Sequence, residues 1–433
     1  MKRLIIDKLI EWKNSNSRKP LLLKGARQVG KTYVLLEEFG KKHYDNVVYL
    51  HFEGNTTTLH KIFEPDLNPK RIIEEVSAYA KQTILPNKTL IIFDEIQACE
   101  QALTSLKYFC EEAPEYHIVA AGSLLGLAIN RGNFSFPVGK VEMMTMYPLS
   151  FEEFLIATDN ENLIEKIRKA YKSFTPISEV YHNLALELYK QYLVIGGYPA
   201  AVKTYLETKN FDAVRAVQAD ISEAYIADMA KYATPNETIR SIAIFNTLPA
   251  QLAKNNTKFQ YAVIKSNARA KEYELSLQWL KAANVVLENI KVTEPKLPLS
   301  LYEQIDSFKI YYSDVGLLCL KSGIMPQDII VNSAISDRAK GLLAENYVAE
   351  QLAILGQKLN YWESNGKAEI DFVIRLNNNI IPLEVKSADN VRSRSLKTFV
   401  DKYSPDYSIR LSSKNFGFEN GIKSIPLYAI FCL

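Results

Sequence analysis

Cysteine is scarce and scattered. The chain has four, Cys99, Cys110, Cys319 and Cys432, with no CxxC pair and no paired histidine. That pattern argues against a disulfide framework or a zinc site and fits a reducing compartment. No run approaches the roughly 18 apolar residues of a membrane span. The opening stretch MKRLIIDKLIEWKNS holds Asp7, Lys8 and Glu11 inside its apolar part, which predicts an amphipathic helix and not a signal peptide. A cytoplasmic location without a membrane partner is therefore expected. Internal repeats and low-complexity tracts are lacking. So is a strong excess of either charge, since 52 Lys and Arg face 49 Asp and Glu for a net charge of +3. Near balance neither demands nor excludes nucleic acid, because a small basic patch can hide in a balanced total.

What is present suits a multidomain globular chain. The 433 residues are 47% apolar and 23% charged, enough for about two to four domains with ample core. Up to residue 155, short apolar runs alternate with helical patterns. The strand candidates are PLLLKG (20–25), VVYLHF (47–52), TLIIFDE (89–95) and HIVAAG (117–122). Alternation of this kind predicts an α/β fold, a parallel sheet covered by helices. From about 160 to 255 only helical spacing survives, broken by the turn signal GGYP at 196–199. Residues 257–292 read as two short helices and a strand, and TEPKLPLS (293–300) reads as a linker. The remainder is mixed, with the strand IYYSD, the helix GLLAENYVAEQLAILG and the hairpin EIDFVIRLNNNIIPLEVKS.

The most informative stretch is LLLKGARQVGKTYVLLEEF (21–39). Within it GARQVGKT, residues Gly25, Ala26, Arg27, Gln28, Val29, Gly30, Lys31 and Thr32, matches G-x-x-x-x-G-K-[ST]. Glycines let backbone N–H groups curl around phosphate oxygens, and the helix that follows points its positive dipole end at them. Lys31 is expected to reach the β- and γ-phosphates of ATP, and Thr32 to ligate Mg²⁺. In TLIIFDEIQ a buried-strand pattern ends in Asp94 and Glu95, at the carboxyl end where ligands sit. Asp94 would hold Mg²⁺ and Glu95 would polarise the attacking water. Ser123, ending HIVAAGS, suits a γ-phosphate sensor or an N-cap for LLGLAI, and the two roles can coexist.

The strings GARQVGKT, IIFDEIQ, AAGS, YPLSFEEFL and VIGGYPAAV resemble AAA+ ATPases. The likeness is to a bacterial and archaeal group carrying a domain of unknown function behind the ATPase, itself similar to PD-(D/E)XK nucleases. It extends over nearly the whole chain and is most specific in the first 155 residues. The resemblance implies Lys31 and Thr32 for nucleotide, Asp94 and Glu95 for metal and hydrolysis, and Ser123 as sensor. The implied architecture is an ATP-binding core (1–158), a helical lid (159–236), a winged-helix-like module (237–298) and a nuclease-like α/β domain (299–433). One departure is Gly139-Lys140, where the pattern expects Gly-Arg. Lysine lacks the planar fork of arginine, so no arginine finger is assigned, and Arg131 is a weak candidate. AAA+ kinship also raises the prospect of subunit contacts.

The C-terminal hairpin turns on asparagines centred near Asn378, with Asp371 seven residues before and Glu384 six after. Antiparallel pairing would set them side by side. Lys386 shares a strand face with Glu384, and Glu345 on the preceding helix adds a carboxylate. The D…ExK pattern resembles the PD-(D/E)XK core and makes a candidate Mg²⁺ site. An inactive fold that binds a partner, or a plain salt-bridged hairpin, are the alternatives. The run VRSRSLK (391–397) is a further candidate for phosphate contact, or a solvated face.

From Lys254 to Lys296 eight Lys and Arg face four Asp and Glu. Helix, helix and strand in that order resemble a winged helix, whose second helix would enter the major groove of DNA. Lys265, Arg269, Lys271 and Lys281 would contact phosphates. A connector that packs protein is the alternative. The two functional readings are an ATP-dependent switch or motor on DNA, and a signalling or defence ATPase scaffold that binds a protein partner.

Overall fold

The computed structural model describes the 433 residues apart from 55, 124–136, 255–257, 332–334, 365, 367, 388–393 and the side chain of Tyr232. Arg131, the stretch LLGLAI and residues 391–393 of VRSRSLK thus lie outside the described residues. The chain divides into two compact units. The first is Lys2–Tyr147 with Ala282–Asn284, and the second is Met1, Pro148–Lys281 and Val285–Leu433.

The first unit is built on a five-stranded sheet of β1 (Leu21–Lys24), β2 (Asn46–His51), β3 (Thr89–Asp94), β4 (His117–Gly122) and β5 (Glu142–Thr145). Its order is β2-β3-β4-β1-β5 and every pairing is parallel. The inner strands β3 and β4 are buried along their whole length, as continuous apolar runs in a helix-covered parallel sheet should be. The edge strand β2 instead alternates over Val48–His51, with Val48 and Leu50 inside and Tyr49 and His51 out. A core of Phe52, Phe63, Ile72, Phe93, Leu103, Leu106 and Phe109, among others, fills one face. β5 was not among the expected strands, because VEMMTM is short and carries a glutamate.

The second unit begins with helices. Phe151–Ala157 starts in a capping box, Ser150 Oγ accepting from the Glu153 N–H and the Glu153 carboxylate from the Ser150 N–H. Glu161–Ser173, Glu179–Ile195, Pro199–Thr208, Phe211–Tyr232 and Pro235–Leu252 follow. Two shorter helices, Tyr261–Ile264 and Ala270–Ala282, lead into β6 (Val286–Val292), which pairs antiparallel with β7 (Glu303–Tyr312). Tyr273, Leu277 and Leu280 are buried, as their helical spacing predicts. With β8 (Asn360–Glu363) and β9 (Glu369–Ile370) these strands form a sheet of order β7-β6-β8-β9.

A second sheet, β10-β11-β12-β14-β13, comprises β10 (Phe372–Leu376), β11 (Asn379–Val385), β12 (Ser408–Ser412), β13 (Gly417–Glu419) and β14 (Ile422–Pro426). Asn377 and Asn378 both have positive φ, and Leu376 pairs with Asn379, so the hairpin turns in two residues.

The turn GGYP belongs to the core of this unit. Leu149 donates to the Gly197 carbonyl at 2.6 Å, and a Cβ on Gly197 would lie 2.1 Å from the Leu149 oxygen. Asp314, fully buried, accepts from the N–H of Gly197 at 2.6 Å and of Leu317 at 2.8 Å. Burial pushes its carboxyl from 3.8 up to about 6, although backbone N–H groups pull it down. A carboxyl whose pKa is higher folded than unfolded carries extra protons in the native state between those values. Its ionisation therefore costs stability as pH rises from about 4 through 6, by about 3 kcal/mol in all. Urea unfolding from about pH 4 to 7 should show wild type losing about 3 kcal/mol relative to Asp314→Asn across that window. Parallel pH profiles would refute the assignment.

Candidate functional site: a phosphate loop and an acidic strand end

β1 delivers the chain into the loop Gly25–Gly30, and a helix starts at Lys31. Its middle stretch, Val34–Gly40, winds as a π-helix. Ala26 and Val29 are buried and Arg27 and Gln28 exposed, so the loop is anchored by alternate apolar residues. Gln28 takes a positive φ of 65°. A Cβ on Gly25 would stand 2.2 Å from the backbone oxygen of Met146, so only glycine fits there. Lys31 is 6% exposed, and its ammonium donates to the carbonyls of Gly25 and Ala26, each at 2.9 Å. The lysine is thus held inside the loop that its sequence position suggested.

Asp94 ends β3, and β4 lies between β3 and β1. The three strand ends are therefore neighbours. Thr32 Oγ1 donates to Asp94 Oδ2 at 2.8 Å, closing the gap between loop and acid. Ser123, 7% exposed, follows β4 and so sits at the strand end between them. Glu95 has a φ of 51°, a left-handed conformation that costs a non-glycine residue on the order of 1 kcal/mol. It turns the chain sharply off the strand. Its N–H donates to Asp94 Oδ1 at 3.1 Å, and Gln97 Nε2 donates to its carboxylate at 2.5 Å.

Three contacts had no sequence signal. Tyr49 on β2 donates its hydroxyl to Asp94 Oδ2 at 2.7 Å. Burial and the Asp94 carboxylate together raise the Tyr49 pKa, keeping the phenol protonated as a donor. Arg3 spans the Val29 carbonyl (2.8 Å) and the Tyr147 carbonyl (2.7 Å), tying the loop to the segment that follows β5. Lys140 pairs with Glu111 at 2.8 Å. The residues fit a magnesium nucleotide: two oxygens suited to a hard cation, Thr32 Oγ1 and Asp94 Oδ2, already lie together beside a glycine loop.

The C-terminal candidates also meet. Phe372 pairs with Leu383, so Asp371 falls opposite Glu384, and Asp371 Oδ2 accepts from the Val385 N–H at 2.8 Å. Lys386 pairs with Glu384 at 2.8 Å. Glu345, however, accepts from Tyr311 at 2.5 Å and from Lys309 at 3.0 Å. Lys309 also pairs with Glu369 at 2.5 Å. Burial and Glu345 hold the Asp371 carboxyl well above the usual range. Among the described residues, no group of three or more His, Cys, Asp or Glu is arranged to hold a metal ion. Of the residues expected to hold Mg²⁺, Asp371, Glu384 and Lys386 are thus brought together, whereas Glu345 is taken by the Lys309 ammonium.

Of the basic residues expected at nucleic acid, Lys265, Arg269 and Lys271 are exposed at the start of the 270–282 helix. Lys281 differs. It is paired with Glu288 at 2.5 Å, because β6 follows the helix closely and brings that carboxylate back to it.

Comparison with known proteins agrees with the loop and sheet. Residues 17–155 match the model of an AAA domain. Residues 186–328 and 340–430 match two domains of unknown function, DUF8612 and DUF4143. No curated protein matches the chain. Among solved structures, a Walker-type ATPase of Pyrococcus abyssi is 15% identical, with a TM-score of 0.44 over 74% of this chain and 95% of the other. The ORC1 protein of Aeropyrum pernix in complex with DNA is 11% identical, with a TM-score of 0.27 over 76% and 92%. Cdc6p from Pyrobaculum aerophilum is 13% identical, with a TM-score of 0.26 over 77% and 96%. Residues 17–155 thus match an AAA domain, and no described helix is long and apolar enough to cross a membrane.

Gly25→Ala should cut nucleotide affinity by at least about tenfold, since the loop must shift to clear a backbone oxygen. Titration with a fluorescent ATP analogue measures it, and unchanged affinity would contradict the close packing.

Proposed function

We propose that the chain binds MgATP at Gly25–Thr32 and hydrolyses it. The observation that carries this is the Thr32–Asp94 contact at 2.8 Å, made across the end of an intervening strand. Magnesium, when bound with the nucleotide, would neutralise phosphate charge, and Thr32 and Asp94 would hold it. Lys31 would exchange its loop carbonyls for phosphate oxygens. Glu95, turned off the strand by its left-handed backbone, would accept a proton from the attacking water. Ser123 would contact the γ-phosphate from the neighbouring strand end. Lys31→Ala should abolish ATP binding, whereas Glu95→Gln should keep it and lower turnover at least about a hundredfold. Phosphate release and nucleotide binding, assayed side by side, separate the two. Full turnover by Glu95→Gln would remove Glu95 as the base.

The energy of this reaction is proposed to act on DNA. Support comes from the order of helices 235–252, 261–264 and 270–282 followed by an antiparallel hairpin, with Lys265, Arg269 and Lys271 exposed. These would contact phosphates, as a winged-helix module does. The alternative partner is a protein, which would stimulate hydrolysis where DNA does not. Replacing Lys265, Arg269 and Lys271 together by alanine should weaken DNA binding across sequences and lower the salt slope by about 3. Fluorescence anisotropy over a salt series measures it. A DNA affinity insensitive to salt and to the triple variant would favour the protein partner.

A further inference from the structure

Three carboxylates of the C-terminal cluster already have an ammonium partner. Glu345 on the 337–354 helix, Glu369 on β9, Asp371 between β9 and β10, and Glu384 on β11 come from four segments. Lys309, on β7, reaches into them from a fifth. Its side chain is 1% exposed, and it bonds Glu345 at 3.0 Å and Glu369 at 2.5 Å. The Tyr361 ring lies 5.1 Å from the ammonium, and the Tyr311 hydroxyl donates to the same Glu345 oxygen at 2.5 Å.

Gathering carboxylates from separate segments around one buried positive centre is the structural work of a metal ion. Here a side chain does it. Lys386 balances Glu384 on one side, and Arg410 is the register neighbour of Glu384 on β12. Lys309 and Lys386 thus pair three of the four carboxylates, Glu345, Glu369 and Glu384. One oxygen points the other way: Glu384 Oε2 is buried without a hydrogen-bond partner. With Asp371 it gives two carboxylates, a number that holds Mg²⁺ only with water or substrate oxygens, so this pair is what a metal titration must find empty.

We propose that the Lys309 ammonium is the resident cation of this cluster, fulfilling through Glu345 and Glu369 the role of a divalent metal, so that the wild-type chain holds no divalent ion there. The nuclease-like domain is then a binding or structural element, and the inference stands independently of ATP hydrolysis.

Calorimetric titration of the full chain with Mn²⁺, without nucleotide, tests it against Asp371→Asn. Wild type and variant should give the same heats, with no site tighter than about 1 mM that depends on Asp371. Lys309→Met should gain one Mn²⁺ site and a Mn²⁺-dependent rise in Tm, both lost in Lys309→Met/Asp371→Asn. Wild-type Mn²⁺ binding that Asp371→Asn abolishes would overturn the proposal, as would a folded Lys309→Met protein that takes up no Mn²⁺. If Lys309→Met does not fold, the wild-type and Asp371→Asn titrations decide alone.

Discussion

The short contact between Thr32 and Asp94 is the constraint on which the first unit turns. It joins residues 62 apart in sequence, and it exists only because β4 is inserted between β1 and β3 in a parallel sheet. Parallel pairing brings the carboxyl ends of all three strands to one edge, so the glycine loop, Ser123 and the acid are delivered together. The apolar runs of β3 and β4 suit their interior places in that order, since both strands are covered on both faces. Gly25 and Arg3 then fix the loop from either side, one by leaving no room and the other by bonding two carbonyls.

The second unit depends on buried polarity of another kind. Asp314 and Glu350 are both fully buried, and burial with mutual repulsion raises Glu350 well above the usual carboxylate range. Tyr192 donates to Glu350 and to the Leu149 carbonyl (2.6 Å), while Val315 donates its N–H to Glu350 at 2.8 Å. Gln351 accepts from the Phe151 N–H at 3.1 Å. The network thus stitches the 150–157 helix start, the GGYP turn and the 337–354 helix into one interior. Each group is satisfied by a partner far away in sequence, a requirement that specifies one packing over its competitors. This accounts physically for the segments LSFEEF and VIGGYP, which carry no chemistry of their own.

Legibility in the sequence followed the range of the interaction. The phosphate loop, the strand ending in Asp94 and the asparagine hairpin are local patterns, and each was readable from a few adjacent residues. The opposition of Asp371 and Glu384 was readable because a two-residue turn fixes register. β5 was not, since four residues with a glutamate give too little periodicity. Lys309 was invisible for a different reason. Its partners lie 36 and 60 residues downstream, on a helix and on another strand, and nothing in FKIYYSD distinguishes a buried ammonium from an exposed one. Lys281 erred in the opposite sense. Its charge counted towards a basic patch, but a carboxylate returning on β6 neutralises it.

The two acidic clusters show how the same residue types acquire opposite uses. Asp94 accepts hydrogen bonds from two hydroxyls, Thr32 and Tyr49, and one backbone N–H. These partners are neutral, so they orient the carboxylate without cancelling its charge, as the proposed magnesium nucleotide requires. In the C-terminal cluster Glu345, Glu369 and Glu384 each bond an ammonium group, which orients and neutralises at once, and Glu345 also accepts from the Tyr311 hydroxyl. A divalent ion drawing on Glu345 and Glu369 would have to displace the buried Lys309 and leave that charge unpaired, which costs far more than displacing a hydroxyl proton donor. On the two proposals made above, partner charge, more than the number or spacing of carboxylates, separates a site that takes magnesium from one closed by lysine.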